Sequence, residues 1–178
     1  MTPAMVLIQS GFVLVKTSNT FPTIEETVNV PHENAADLED LQQLLAMHHV
    51  PEVVNIRLIH EHFDITDGEA MVFRDIALPA DGTVEVMRAT ALESAQLHGT
   101  HFLVDSTAQL QASEYIPEPT MDISTCGSFI AAFVTIVVER KLQHKFGLKV
   151  KHHRGEVRVD RKEYAEEDGM MFDGRFVQ

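Results

Sequence analysis

Cysteine and positive charge are both scarce in this 178-residue sequence, which has one cysteine and 14 lysine and arginine residues against 27 aspartate and glutamate residues. A single cysteine can form neither an intramolecular disulfide nor a cysteine-rich zinc site, so we expect packing alone to stabilise the core in a reducing, cytoplasmic compartment. The formal net charge of −13 disfavours binding to nucleic acid, because affinity for phosphates comes largely from lysine and arginine. Gly-x-Gly and Gly-Lys-Ser/Thr loops are missing as well, so nucleotide binding has no support.

Long hydrophobic runs are also lacking. The longest, residues 129–138, is about half of the roughly 20 residues that span a bilayer, and Glu139, Arg140 and Lys141 follow it directly. The start of the chain has no positive region before its apolar stretch, which predicts no secretory signal. Without repeats or long biased segments, the sequence predicts a single globular domain over residues 1–178, with residues 165–178 as a weakly patterned tail.

Two segments have the pattern of helices. Residues 34–49 begin with Asn34 at an N-cap position, carry acidic residues in the first turns, and precede Pro51, which disfavours helical geometry in the residue before it. Residues 126–147 end with basic residues and with Gly147 at a C-cap position. The β-branched run 134–138 favours a strand instead, but the uninterrupted length and the cap favour a helix.

After Pro51 the hydrophobic pattern changes to an alternation of period two, which is typical of half-buried strands. Candidate strands are residues 53–65, 70–78, 83–90, 101–105, 109–116 and 156–160, with one or two more in residues 5–15. The intervening segments are short and mostly contain glycine or aspartate, so neighbouring strands are expected to pair as antiparallel hairpins. The predicted fold is α+β, with an antiparallel β-sheet of about five strands packed by two α-helices.

The strongest functional pattern is the His-x-His pair His60 and His62. Alternate residues of a strand share a face, so both imidazoles are predicted to lie on the side of Leu58. A face that changes from aliphatic residues to imidazoles is typical of a pocket with a packed inner end and a polar mouth. We therefore predict a histidine-lined pocket between the sheet and the helices, with apolar walls from Leu58, Val84 and Val86, or from helix residues such as Phe133.

The same pair suggests a metal site. Histidines at positions i and i+2 of a strand can offer two nitrogens to one divalent transition metal such as zinc, and His98 or His101 could supply a third ligand from a neighbouring strand. Cys126 has no second thiol beside it and is not expected to be a ligand. A metal-free pocket and purely structural histidines remain alternatives to the metal hypothesis.

Other reactive groups have weaker patterns. Cys126 precedes the second predicted helix, where the helix dipole favours the thiolate, but a small half-buried residue at a helix start is the favoured explanation. Asp64, Asp67 and Glu69 fall at a turn, where carboxylates are normally solvated. Neither group provides a clear catalytic arrangement.

The His-x-His motif resembles that of the cupins, although the glycine expected six residues after the acidic position near Asp67 is absent, and so is the second cupin motif. Four segments resemble a group of uncharacterised fungal proteins over most of the chain: Leu58-Ile59-His60-Glu61-His62-Phe63-Asp64, Gly68-Glu69-Ala70-Met71-Val72, Leu97-His98-Gly99-Thr100-His101-Phe102 and Lys145-Phe146-Gly147-Leu148-Lys149. No activity is established for that group, so the resemblance implies no catalytic residue and no cofactor.

Two functions of different class are compatible with these patterns. In the first, the domain binds a small apolar molecule and His60 and His62 act as acid/base groups, since the ordinary pKa of imidazole, about 6.5, suits isomerase, cyclase, lyase or hydrolase chemistry near neutral pH. In the second, the protein is a non-catalytic interaction or assembly module with structural histidines, and its eight methionines form adaptable contact surfaces. A homo-oligomer is compatible with either.

Overall fold

A computed structural model describes the backbone of residues 19–77, 83–91, 97–151, 163–166 and 169–172. Short helices α1 (Ile24–Thr27) and α2 (Val30–Glu33) lead into α3 (Ala35–Met47), and a 3-10 turn (Ile123–Cys126) leads into α4 (Gly127–Glu139). The strands are β1 (Val54–Leu58), β2 (Glu69–Ala77), β3 (Thr83–Ala91), β4 (His98–Val104), β5 (Leu110–Ile116), β6 (Phe146–Val150), β7 (Glu163–Glu166) and β8 (Gly169–Phe172). Within these residues, no helix has the length and apolar character needed to cross a membrane.

The strands form one mixed sheet in the order β1-β6-β4-β5-β2-β3-β8-β7. The predicted α+β class is confirmed, and the hairpins β2–β3 and β4–β5 are antiparallel as the turn residues predicted. An all-antiparallel sheet was wrong, because β2 and β5 pair in parallel through Met71 with Glu114 and Val72 with Tyr115. Turn chemistry fixes only the pairing of consecutive strands, and it leaves open how one hairpin joins the next.

The first predicted helix, residues 34–49, corresponds to α3. Asn34 occupies the N-cap position as predicted, but its side chain does not cap this helix. It donates instead to the Val30 carbonyl oxygen at 2.8 Å and accepts a hydrogen bond from Lys145 Nζ at 2.8 Å. Asn34 therefore ties α2 and the approach to β6 together.

The second predicted helix, residues 126–147, corresponds to α4. Its predicted start is confirmed, but its predicted end was wrong, because α4 ends at Glu139. Lys141 adopts a left-handed φ of 57°, and the Leu142 N–H donates to the Val137 carbonyl, so a non-glycine residue closes the helix. Gly147 lies in β6 rather than at a helix cap. A Cβ there would collide with the Phe102 carbonyl oxygen of β4, so close approach of two strands requires this glycine.

Strand boundaries also differ from the prediction. β1 ends at Leu58 instead of residue 65, and β4 begins three residues earlier than expected, at His98. The predicted tail contains half of β7 and all of β8, which extend the sheet beyond β3. The strands predicted in residues 5–15 and 156–160 lie outside the described residues.

The helices cover one face of the sheet. Their core contains Phe129, Phe133 and Val137 of α4 and Leu41 and Leu44 of α3, packed with strand residues Phe102, Val104, Phe146, Leu148 and Val150. A second apolar cluster is formed by Ile65, Met71, Phe73, Met87 and Ile116. The sequence neighbours of Arg57 and of Lys149 pack in the helix core. Since side chains alternate along a strand, these two residues project to the opposite face, where the second cluster lies. The candidate site lies on that face.

Candidate functional site

Five charged or imidazole side chains meet on the face of the sheet opposite to α3 and α4. They are Arg57 of β1, His60 and His62 of the segment that follows β1, His101 of β4 and Glu114 of β5. We call these five residues the histidine cluster. Arg57 lies opposite Gly147 of the adjacent β6, and its guanidinium extends toward β5.

Glu114 is the centre of the histidine cluster. Its Oε2 atom is 2.7 Å from Arg57 Nη1 and 2.6 Å from His101 Nδ1, and its Oε1 atom is 3.7 Å from His62 Nε2. Burial acts to raise the pKa of the Glu114 carboxyl, but Arg57 and His101 outweigh it and hold that pKa well below its usual range. The carboxylate is therefore ionised at neutral pH and can only accept hydrogen bonds.

His101 is affected by the Glu114 carboxylate and by two cations, Arg57 and Lys149. Burial, and then the positive charge of Arg57, lower the pKa of His101 well below 6.5, and Glu114 opposes them without reversing the shift. The 2.6 Å contact from Nδ1 to Glu114 is short, although the N–H does not point straight at the oxygen. At 2.6 Å the contact excludes a bare lone pair on Nδ1, because it would repel the lone pairs of the carboxylate oxygen. His101 is neutral at pH 7.

His60 is buried without hydrogen bonds. Its residue is 6% exposed, and neither Nδ1 nor Nε2 has a hydrogen-bond partner among the described residues. Burial, with smaller contributions from His62 and Arg57, lowers the pKa of His60 to about 4. The Leu58 backbone opposes this shift weakly but does not reach hydrogen-bond geometry. A neutral imidazole therefore presents one donor and one acceptor nitrogen inside the protein.

The apolar side of the cluster is formed by Phe73 of β2. Its ring centroid lies 5.1 Å from that of His101 and 6.3 Å from that of His62, and Lys149 Nζ lies 5.9 Å from the same centroid. Phe73 belongs to the second apolar cluster, with Met71. The site thus combines polar groups at one end with an aromatic and aliphatic surface at the other, as small-molecule sites commonly do.

The structure brings His60 and His62 together, with ring centroids 4.5 Å apart at an interplanar angle of 65°. Their environment differs from the prediction, because β1 ends at Leu58 and the strand alternation does not continue to the histidines. Leu58 and Phe133 belong to the helix core and do not line the cluster, so the expected pocket walls were wrong for these two residues. Val86 alternates with Met87 of the second cluster and faces away from it, and the Val84 side chain is outside the described part of the chain.

Of the predicted third ligands, His101 joins the cluster, whereas His98 begins β4 opposite Ile116. Among the residues whose side chains are described, no three His, Cys, Asp or Glu groups are arranged to hold a metal ion. The metal hypothesis therefore stays a prediction from sequence, and no function below depends on it. Cys126 packs against the helix core, on the other side of the sheet from the histidines.

Arg57 and Glu114 were missed by the sequence analysis. Each is one charged residue in an otherwise apolar or neutral strand, Val-Asn-Ile-Arg-Leu in β1 and Leu-Gln-Ala-Ser-Glu-Tyr-Ile in β5. Opposite charges in two strands with buried faces are a signal for a buried ion pair, because an unpaired charge there would be very costly. Recognising the pair also required the strand order, which turn patterns do not provide.

Comparisons with models of protein families, with curated proteins and with solved structures found no match. Function must therefore be inferred from the geometry of the histidine cluster.

Proposed function

We propose that the protein binds a small, largely apolar molecule at the histidine cluster, with the neutral imidazole of His60 as its main polar contact. The observation that carries this proposal is the burial of both His60 ring nitrogens without a hydrogen-bond partner. Buried polar atoms are nearly always hydrogen-bonded, and each one left without a partner costs about 1–3 kcal/mol. A ligand that supplies the missing partners accounts for a cost that a purely structural core would avoid.

The chemistry of the site favours a molecule with a hydroxyl or carbonyl group on an apolar body. A neutral imidazole can donate to a carbonyl through one nitrogen and accept from a hydroxyl through the other. Phe73 and Met71 provide the apolar surface beside the rings. His60 and His62 act as acid/base groups toward the bound molecule, and proton transfer of this kind serves isomerase, cyclase, lyase and hydrolase reactions.

The low exposure of the histidine cluster favours a second, non-catalytic function. The side chains of Arg57, His62, His101 and Glu114 are only 4–13% exposed, and they contact one another. In this alternative the protein is a non-catalytic interaction module, and the histidines are structural. His60 argues against it, since a structural role leaves its two nitrogens without a purpose.

The two functions are separated by a ligand screen read at His60 itself. Protein with ¹⁵N-labelled histidine is titrated with a set of small alcohols, ketones and lactones, and the His60 ring signals are assigned with the His60→Phe variant. We expect at least one compound to shift the His60 ring nitrogens and to lose binding in His60→Phe. Binding should persist in His144→Ala, which changes an exposed histidine between α4 and β6. If no compound binds, or if binding is the same in His60→Phe, the small-molecule function is refuted.

A further inference from the structure

We propose that Glu114 is a positioning residue of this site: its carboxylate holds His101 as the tautomer with hydrogen on Nδ1 and leaves Nε2 as the nitrogen that accepts a proton. The chemical role of Nε2 rests on the proposed function. The tautomer itself follows from contacts within the chain, so it can be tested without any ligand.

Glu114 is ionised in the folded protein. A guanidinium is always protonated and offers only donors, and Arg57 Nη1 lies 2.7 Å from Glu114 Oε2 with both side chains nearly buried. A protonated carboxyl there would leave the Arg57 charge without a counter-ion in the interior, which is strongly unfavourable. Glu114 is therefore an ionised acceptor, and any group in contact with Oε2 must present a hydrogen to it.

The hydrogen of the neutral His101 ring is on Nδ1. Its Nδ1 lies 2.6 Å from Glu114 Oε2, and a bare nitrogen lone pair at that distance from a carboxylate oxygen would be repelled. The hydrogen must therefore be on Nδ1. A second hydrogen on Nε2 would make a buried imidazolium beside Arg57 and Lys149, both of which disfavour it. His101 is then neutral with a bare Nε2.

His101 is the histidine that lies closest to the Glu114 carboxylate. His62 Nε2 also favours the ionised carboxylate but is farther away, 3.7 Å from Oε1, and it lies 3.4 Å from Arg57 Nη2. His60 makes no hydrogen bond to the carboxylate. Glu114 thus acts through His101, in the arrangement by which a carboxylate fixes the tautomer of an imidazole base and stabilises the imidazolium that forms.

The proton balance of such a step is closed within the site. The bound molecule loses a proton from an O–H or an activated C–H bond to His101 Nε2, and the electron pair of that bond stays on the molecule. His101 becomes an imidazolium whose added charge faces the Glu114 carboxylate. The proton then returns to the molecule at another atom, or to the same atom in the reverse step, so no oxidant, reductant or metal is required.

The test is ¹⁵N NMR of the histidine rings of the full chain at neutral pH, without ligand. We expect His101 to show a protonated Nδ1 and an unprotonated Nε2, and the exposed His144 to show a mixture of tautomers. In the double variant Arg57→Met/Glu114→Leu, which removes the acceptor of the Nδ1 hydrogen together with its counter-ion, the preference of His101 for Nδ1–H should be lost. Glu114→Asp, which retains a carboxylate, should keep that preference at least in part.

The wild-type spectrum alone decides the proposal if the double variant fails to fold. An Nε2–H tautomer, or an imidazolium at neutral pH, would overturn it, and so would an unchanged His101 tautomer in a folded Arg57→Met/Glu114→Leu protein. Failure of every compound to bind at His60, with the His101 tautomer as expected, would refute the proposed function while leaving the role of Glu114 in setting the tautomer supported.

Discussion

Acidification below about pH 6.5 should destabilise the protein through His60. The folded-state pKa of His60 is about 4, whereas an unfolded chain gives histidine a pKa of about 6.5. As the pH falls below 6.5, the unfolded state binds the proton first, so stability falls until the pH passes about 4, where the folded state is protonated too. Above pH 6.5 the neutral His60 ring therefore costs no stability. The loss grows as the pH falls from 6.5 and is complete at about pH 4.

The magnitude follows from the two pKa values. One histidine held neutral lowers the free energy of unfolding by about 1.4 kcal/mol per pH unit inside this window, which amounts to about 2 kcal/mol between pH 7 and pH 5. His101 contributes in the same direction, since its pKa is also lowered by burial and Arg57. Glu114 stays ionised over this range because its pKa lies well below the usual value.

The assay is urea unfolding at pH 7, 6 and 5 of the wild-type protein and of His60→Phe, which keeps a ring and cannot titrate. The difference in unfolding free energy between the two proteins should change by about 2 kcal/mol from pH 7 to pH 5. Glu61, whose pKa is raised by burial and by a hydrogen bond with Asp64, is present in both proteins and cancels in the comparison. Identical pH dependence of the two proteins would refute the claim that His60 is buried and neutral.

Two further predictions concern the framework around the cluster. Gly147→Ala should lower the free energy of unfolding by about 1–3 kcal/mol, because the new Cβ collides with the Phe102 carbonyl. Gly127→Ala should change it little, because nothing lies within 4 Å of the new Cβ. Equal urea midpoints for the two variants would contradict the close approach of β6 to β4. Arg57→Met should lower the free energy of unfolding by about 3–5 kcal/mol, because it leaves Glu114 as an unpaired buried charge. The double variant Arg57→Met/Glu114→Leu should be markedly more stable than this single variant. A double variant no more stable than the single one would argue against a buried pair.

The sequence predicted the elements of this fold better than their arrangement. Local signals placed α3, the start of α4 and the two hairpins, because caps, turns and hydrophobic periodicity act within a few residues of where they are read. The end of α4 was missed because Lys141 adopts a left-handed conformation that its residue type does not announce. The parallel contact of β2 with β5 is a long-range feature, and no turn residue encodes it.

The candidate site shows the same division. The proximity of His60 to His62 was predicted from a two-residue spacing, and the structure brings the rings together although they lie beyond the end of β1. Glu114 and Arg57 are 57 residues apart in sequence, and they meet across the two strands, β6 and β4, that lie between β1 and β5. Spacing can suggest a pair within one segment, but a cluster built from several strands depends on strand order.

The stability of His60→Phe at pH 7 connects the fold to the proposed function. Phe removes two buried nitrogens that lack partners and keeps the apolar ring contacts, so the variant should be more stable than the wild type by about 1 kcal/mol in urea unfolding. A histidine kept for structure alone should instead lose stability when replaced, because its contacts would be the reason for its presence. A gain in stability together with a loss of ligand binding would mark His60 as a residue that serves binding at the expense of the fold, as functional sites often do. A loss of about 1 kcal/mol or more would favour the structural alternative and count against the small-molecule site.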